Sequence, residues 1–320
     1  MEKPLISFIL TYYDQPIEML DMCINSILSL SLSPGEREII IIDDGSTSSP
    51  INGLMKYGKD IIYIRKDHGG VCLARNMALS MATGIFIQFV DADDEIIKIP
   101  YEHCIDMIRS TNADMVLFDF CHEKNTVSTF HDKGPLSGSE LMRSHNIHGS
   151  VWGYIFKHSI RSTLAFTQGI SYGEDEEFTA QLLLRSESLY TTTAKAYLYR
   201  QHNASVTQKH DIRDIIKRLM DTKTVILRLN ALADSLPSND RLAIQRRTSQ
   251  LTMDYLYNII YLTHSRHYLE RKIKELYKVG LFPLPNKNYT TKYTWFRRLT
   301  NSPMGLSLLM RIIPMMNKER

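Results

Sequence analysis

The stretch Ile85-Phe86-Ile87-Gln88-Phe89-Val90, followed by Asp91-Ala92-Asp93-Asp94-Glu95, constrains this chain more than any other. Five of the first six residues are apolar and only Gln88 interrupts them, which reads as a strand buried on both faces. The acids cannot continue in a sheet, because Asp is a poor strand former and ionised carboxylates resist burial. The strand therefore ends where the acids begin and delivers Asp91 and Asp93 to its carboxyl edge. In an open α/β sheet that edge is where ligands bind. Hard cations prefer carboxylate oxygens, and a Mg²⁺ or Mn²⁺ held by one or two carboxylates usually completes its shell with substrate phosphates. Taken alone, the same residues also read as a solvated acidic turn between strand and helix.

The rest of the first half alternates strand and helix. Leu5–Thr11 is an apolar strand ending in Tyr12-Tyr13-Asp14. Pro16 starts a helix with apolar residues at Ile17, Leu20, Cys23, Ile24, Ile27 and Leu28, a helical period. Strands follow at Glu38–Ile42 and Ile61–Ile64, then a helix from about Val71 to Ala82, the central strand, and a fifth strand at Asp114–Phe118. Strands separated by helices predict parallel βαβ units and an α/β sheet with helices on both faces. On one edge of that sheet three polar clusters then meet: Thr11–Asp14, Asp43–Ser46 and Asp91–Asp94. Each alone is an ordinary turn or cap signal. Together they predict a nucleotide pocket.

Three motifs carry a resemblance to a known family. Ile39-Ile40-Ile41-Ile42-Asp43-Asp44-Gly45-Ser46, Gly70-Val71-Cys72-Leu73-Ala74-Arg75-Asn76 and Phe89-Val90-Asp91-Ala92-Asp93-Asp94 resemble, in order and spacing, the signatures of GT-A glycosyltransferases of family 2. The resemblance covers about residues 4–205. It implies a nucleotide-diphosphate sugar donor, usually uridine-linked, and inversion at the anomeric carbon. By position it implies that Thr11 and Tyr13 line the base pocket, with Asp14 standing where many relatives have Asn. It also implies that Asp44 bonds the base, that Asp91 and Ala92 lie near the ribose, and that Asp93 holds a Mn²⁺ or Mg²⁺ on the diphosphate. Gly69-Gly70 lets backbone approach a ligand ahead of a helix whose amino end favours phosphate, with Arg75 and Asn76 one turn further on.

The second half supplies the acceptor side. Trp152, in the aromatic run Ser150–Phe156, is a candidate to stack on an acceptor sugar, although a lone Trp there is more often core. Tyr172-Gly173-Glu174-Asp175-Glu176-Glu177 opens a helix whose positive end alone would favour acids. The stretch also resembles the Glu-Asp motif of family 2, which makes Asp175 the candidate base, with Glu174 and Glu177 as alternates. An inverting transfer needs one carboxylate to take the acceptor hydroxyl's proton. His202, in His202-Asn203-Ala204-Ser205, resembles the end of the family's catalytic domain and is a candidate metal ligand. No Gln-x-x-Arg-Trp signature of processive synthases is present, and no Gly-x-Gly-x-x-Gly follows the first strand as a dehydrogenase would require.

From residue 209 the pattern turns helical, which predicts a catalytic domain over 1–208 and a helical region over 209–320. Asp211 caps an apolar stripe running from Ile212, Ile215 and Ile216 to Leu229, and a second runs from Leu251 to Ile260. Residues 265–320 carry 12 Lys/Arg against 3 Asp/Glu, a balance of +9 within a whole-chain charge of +3, leaving −6 for residues 1–264. A basic tail with Trp295, Phe296 and apolar residues from Met304 to Ile313 predicts either an anionic membrane surface or packing, on its own catalytic domain or on a second copy in a dimer. No apolar run approaches the roughly 20 residues of a membrane span, and Met1-Glu2-Lys3-Pro4 lacks a signal-peptide design. The four cysteines show no Cys-x-x-Cys pair. These features predict a cytoplasmic enzyme, peripheral at most, that transfers a single sugar to a glycan or lipid-linked acceptor and does not bind nucleic acid. The competing readings are a sugar-nucleotide binder without turnover and a scaffold acting through the helical region.

Overall fold

The structure is a computed structural model and describes residues 3–124, 126–201 and 211–315. The chain divides into two compact units, Met1–Leu141 with His145–Gln208, and Met142–Ser144 with Lys209–Arg320. The strands of the first unit are β1 (Ile6–Tyr12), β2 (Arg37–Asp43), β3 (Ile62–Arg65), β4 (Phe86–Asp91), β5 (Glu95–Ile96), β6 (Met115–Cys121), β7 (Lys133–Leu136), β8 (Tyr154–Lys157) and β9 (Leu189–Leu198). Its helices of ten or more residues are α1 (Ile17–Leu28), α2 (Val71–Met81), α3 (Lys98–Ser110) and α4 (Glu174–Leu183).

The strands form one nine-stranded sheet in the order β3-β2-β1-β4-β8-β6-β9-β5, with β7 paired to β9. Strands β1 to β4 run parallel, as the alternation with helices predicts. Strand β8 does not. It runs antiparallel between β4 and β6, so the sheet is mixed and the wholly parallel expectation is corrected there. The aromatic run that contains β8 is too short to announce a strand, and the α-helix between β7 and β8, Gly138–Ser144, has only 7 residues.

Consecutive residues of a strand face opposite sides of the sheet. Ile39–Ile42 and Phe86–Val90 are each 4% exposed or less, so both faces of the sheet are covered. One face packs on Leu20, Cys23, Ile24 and Ile27 of α1 and on Tyr101, Cys104, Ile105 and Ile108 of α3. Helix α2 packs over β1 and β2 through its buried Ala74 and Ala78. The one polar residue in β4, Gln88, is fully buried and satisfied. Its Nε2 donates to the carbonyls of Phe89 and Trp152 at 2.6 and 2.8 Å, and its Oε1 accepts from Tyr101 Oη at 3.2 Å.

The second unit is helical: α5 (Ile212–Ala233), α6 (Ser238–Thr263), α7 (Arg266–Lys278), α8 (Thr291–Thr300) and α9 (Pro303–Met315). Each of the other four packs on α6, whose Leu251, Tyr255, Leu256, Ile259 and Ile260 are buried. Leu219, Val225, Ile226 and Leu229 of α5 are buried too, but Ile212 and Ile216 in its first turns are 71% and 47% exposed. The predicted packing stripe therefore begins later than expected. Asp211 sits at the N-cap of α5 without a side-chain capping bond.

Candidate active site

Register brings the polar strand ends together. Thr11 at the end of β1 pairs with Asp91 at the end of β4, and Tyr12 pairs with Asp43 of β2. Thr11, Asp43 and Asp91 thus share one sheet edge, although 80 residues of sequence separate the first from the last.

Asp43 and Asp44 build one side. The fully buried Asp43 accepts from Ser46 N and Tyr63 Oη, both at 2.8 Å, and closes the turn after β2. Asp44 is 4% exposed and reaches across to the loop before α2. Its carboxylate accepts from Gly69 N at 3.0 Å, Gly70 N at 2.8 Å and Lys66 Nζ at 2.5 Å, and lies 2.9 Å from His68 Nδ1. Two carboxylate oxygens offer about four lone-pair sites. Three are taken by Lys66, Gly69 and Gly70, and His68, whose Nδ1 also lies 3.0 Å from the Asp44 carbonyl oxygen, faces the remainder, so a nucleotide base would compete with these groups for Asp44. Gly70, at φ +91, gives the loop a turn that other residues rarely adopt, and its N–H goes to Asp44 rather than to a ligand. A cavity of about 680 Å³ opens here, lined by Gly45, Arg65, Lys66, Asp67 and His68. The half-exposed Tyr13 stacks on His68 with ring centroids 4.4 Å apart. Asp14, in a left-handed conformation at φ +54, accepts from Thr47 N and Oγ1 and holds that turn.

Arg75 builds the other side. It lies on α2 and is 5% exposed. Its guanidinium reaches Asp175 Oδ1 at 2.5 Å, Glu174 Oε1 at 3.2 Å and Asp91 Oδ1 at 3.3 Å, and stands over the rings of Phe166 and Phe89 at 5.2 and 5.8 Å. Val151 N donates to Asp175 Oδ2 at 3.3 Å. One cation thus faces three carboxylates. Burial raises Glu174 to about 7, with the charge of Asp175 adding and Arg75 opposing. Burial likewise raises Asp91 to about 6, against the pull of Arg75. Asp175 keeps 22% of its side chain exposed, so an acceptor can reach it. The alternate Glu177 is 3% exposed, too enclosed to meet one.

Two further expectations are corrected. Asn76 does not face a donor: its Nδ2 donates to Phe166 O at 2.9 Å, and its Oδ1 accepts from Phe166 N at 2.8 Å. Trp152 is 7% exposed, and its ring stacks on Tyr197 at 4.5 Å and 7°, which makes it core rather than a sugar platform. Ala92 is fully buried in the turn after β4. His202 lies outside the described residues.

Asp94, the last residue of the cluster Asp91–Asp94, does not stay at that edge. It is 1% exposed, accepts from Arg200 N at 2.8 Å, and is raised to about 8 by burial and then by the charge of Asp91. Beside it the buried Glu95 is paired with Lys124 at 2.8 Å and with Arg200. The acids after β4 therefore split. Asp91 and Asp93 stay part-exposed at the edge, while Asp94 and Glu95 turn inward toward the end of β9.

Asp91 and Asp93 offer hard oxygen donors, which suits a divalent cation shared with a ligand's phosphates. Among the described residues no three His, Cys, Asp or Glu side chains form a complete metal set, so a protein-only cage is absent there.

A sheet of this order with acids at these strand ends is the GT-A arrangement. The model of glycosyl transferase family 2 matches residues 7–166, and the chain belongs to that family. It is similar to YibD of Escherichia coli K12, described as an uncharacterized glycosyltransferase, at 26% identity over 206 residues covering 59% of each chain. It is similar to EpsJ of Bacillus subtilis 168, also described as an uncharacterized glycosyltransferase, at 26% identity over 222 residues, 64% of this chain and 63% of that one. The chain spans less than two thirds of the length of either relative. Residues 1–349 of Staphylococcus aureus TarS in complex with UDP-GlcNAc share the fold at TM-score 0.66 and 16% identity, over 98% of this chain and 91% of that one. A mannosyltransferase from Pyrobaculum calidifontis with GDP-Man and Mn²⁺ shares it at TM-score 0.59 and 13% identity, over 99% and 88%.

Proposed function

We propose that the chain transfers one sugar, with inversion, from a UDP-linked donor to a hydroxyl of a cell-surface glycan. The observation that carries this reading is the convergence of Asp91, Glu174 and Asp175 on Arg75 at the ligand edge of the sheet. Asp175 is the base. Its carboxylate takes the proton of the acceptor hydroxyl as that oxygen bonds the anomeric carbon and the bond to the diphosphate breaks, the electron pair leaving with the diphosphate. Arg75 holds Asp175 in position, and the Val151 N–H fixes its second oxygen. Glu174, raised toward neutrality, leaves Asp175 as the stronger claimant on Arg75. Thr11 and Tyr13 border the base pocket. A Mn²⁺ or Mg²⁺ held by Asp93 would, when bound, neutralise charge on the departing diphosphate.

The UDP-GlcNAc bound to TarS supports a uridine donor, and the GDP-Man bound to the mannosyltransferase supplies the competing one. The test is a thermal-shift panel of UDP-GlcNAc, UDP-glucose and GDP-mannose with Mn²⁺, because a ligand that binds only the native state raises its melting temperature. Donor turnover is then compared between the wild type and Asp175→Asn. We expect a shift with a UDP-sugar and a fall in turnover of about 10²–10⁴-fold in the variant, the range of general-base catalysis. A shift with GDP-mannose alone removes the uridine assignment. Equal turnover removes Asp175 as the base, and binding without turnover in either protein leaves a sugar-nucleotide binder.

A further inference from the structure

In the helical unit, α9 is apolar over a wide arc, and among the described residues only part of that arc is buried. Gly305, Leu309 and Ile313 are buried where α9 packs on α6 and α8. A Cβ on Gly305 would stand 2.2 Å from Leu299 O, so only glycine permits this approach of α9 to the end of α8. The adjoining sector carries Met304 at 85% exposure, Leu308 at 45%, Ile312 at 40% and Met315 at 69%. At 100° per residue these four fall within about 80° of one another, a single stripe roughly 16 Å long. Arg311, also exposed, falls in the same sector. Arg266 lies beside the stripe, donating to Ser307 Oγ at 2.7 Å while paired with Glu270 at 2.8 Å. On α8 the exposed residues include Lys292, Trp295 at 60%, and Arg298, whose guanidinium stands over the Trp295 ring at 5.9 Å.

We propose that this face of α8 and α9 seats the chain on an anionic lipid surface. The charge decides between the candidate occupants. Residues 265–320 carry a balance of +9, which a bilayer rich in anionic headgroups complements. A second copy would bring the same positive charge to the same stripe and be repelled. An apolar row with Arg311 beside it, on a helix that follows one exposing Trp295 and Arg298, is the pattern of helices lying in the headgroup region. It cannot cross: α9 has 13 residues, about 20 Å, against a hydrocarbon core of roughly 30 Å, and no helix among the described residues is long and apolar enough to span. Such seating suits an acceptor carried on a lipid.

The test is co-sedimentation of the full chain with vesicles of phosphatidylglycerol and phosphatidylcholine, against vesicles of phosphatidylcholine alone. Wild type should sediment with the anionic vesicles at low salt and release as salt rises. Leu308→Gln with Ile312→Gln removes apolar surface without adding charge, and Arg298→Gln with Arg311→Gln removes charge while keeping all four apolar residues. Each pair should weaken binding by about tenfold or more while leaving the melting temperature unchanged. Wild type remaining in the supernatant, or either pair binding as the wild type does, overturns the proposal. A concentration-dependent dimer in sedimentation velocity, lost in the Leu308/Ile312 pair with no vesicle binding, would assign the face to a second copy instead. Vesicle binding needs no donor, so its failure and the failure of sugar transfer are separate results.

Discussion

The two sides of the ligand edge are built on opposite electrostatic plans. On one, the single carboxylate of Asp44 is surrounded by two backbone N–H groups and an ammonium that bond it and an imidazole beside it. On the other, the single guanidinium of Arg75 is shared by Asp91, Glu174 and Asp175. The first is a closed knot that holds the 66–70 loop against the turn after β2. The second is short of positive charge, and burial answers by raising Asp91 and Glu174. A scaffold can be satisfied at rest. An edge with an excess of carboxylates keeps an imbalance that a cation or a proton relieves.

The sharpest way to expose that imbalance is Asp93→Ala. Losing a ligand for the expected cation should lower turnover roughly 10³-fold, several kcal/mol of charge stabilisation, and EDTA should abolish turnover in the wild type. Full turnover in EDTA sinks the metal assignment and leaves the fold untouched. Arg75→Ala comes next, because it strands three carboxylates at a largely enclosed site. Breaking a buried pair from one side costs about 3–5 kcal/mol. Urea unfolding at pH 8 should show it, with a smaller loss at pH 5, where Asp91 and Glu174 can protonate. A loss below about 1 kcal/mol at both pH values would mean the three acids do not depend on Arg75. Asp44→Asn tests the closed side: it keeps the shape but gives up charge-assisted bonds to Lys66 and the Gly69–Gly70 amides. Bonds to charged groups contribute about 1.5–3 kcal/mol, and urea unfolding at pH 8 should show a loss of that size. A loss below about 0.5 kcal/mol would mean that the 66–70 loop does not depend on Asp44.

The smallest effect concerns Glu174. Its folded value, about 7, lies above the 4.5 of an ordinary Glu, so the folded state binds the proton more tightly than the unfolded chain. That contribution is fully present below about pH 4.5 and is lost as pH rises through 7. Melting temperature should therefore fall between pH 5 and pH 8, and Glu174→Gln should flatten part of that fall, the rest belonging to Asp91 and Asp94, which are shifted the same way. An identical slope in wild type and variant would rule Glu174 out as a contributor.

The parallel half of the sheet was legible because buried strands appear as unbroken apolar runs, and their acidic ends because carboxylates cannot follow a strand into the core. What lay beyond reach was long-range pairing. Nothing near Asp94 announces that it turns inward to Arg200, 106 residues away. Asn76 looked donor-facing by its place on α2, and only the approach of Phe166 shows where both ends of its amide are used. Trp152 was ambiguous between platform and core, since the partner that decides it, Tyr197, arrives from β9. Lys66 and His68 stood in plain view beside Gly69-Gly70, yet their charge and hydrogen-bonding capacity acquire a target only when β2 brings Asp44 to the loop.

The clip between Asn76 and Phe166 has a consequence in time. Asp175 follows Arg75 by 100 residues, and a ribosome adds about 5–20 residues per second, so roughly 5–20 s separate their synthesis. The chain therefore makes Arg75 and Asp91 well before Glu174 and Asp175, and the Asn76–Phe166 clip with the Phe166–Phe178 stack at 4.1 Å ties α2 to the segment that carries both late carboxylates.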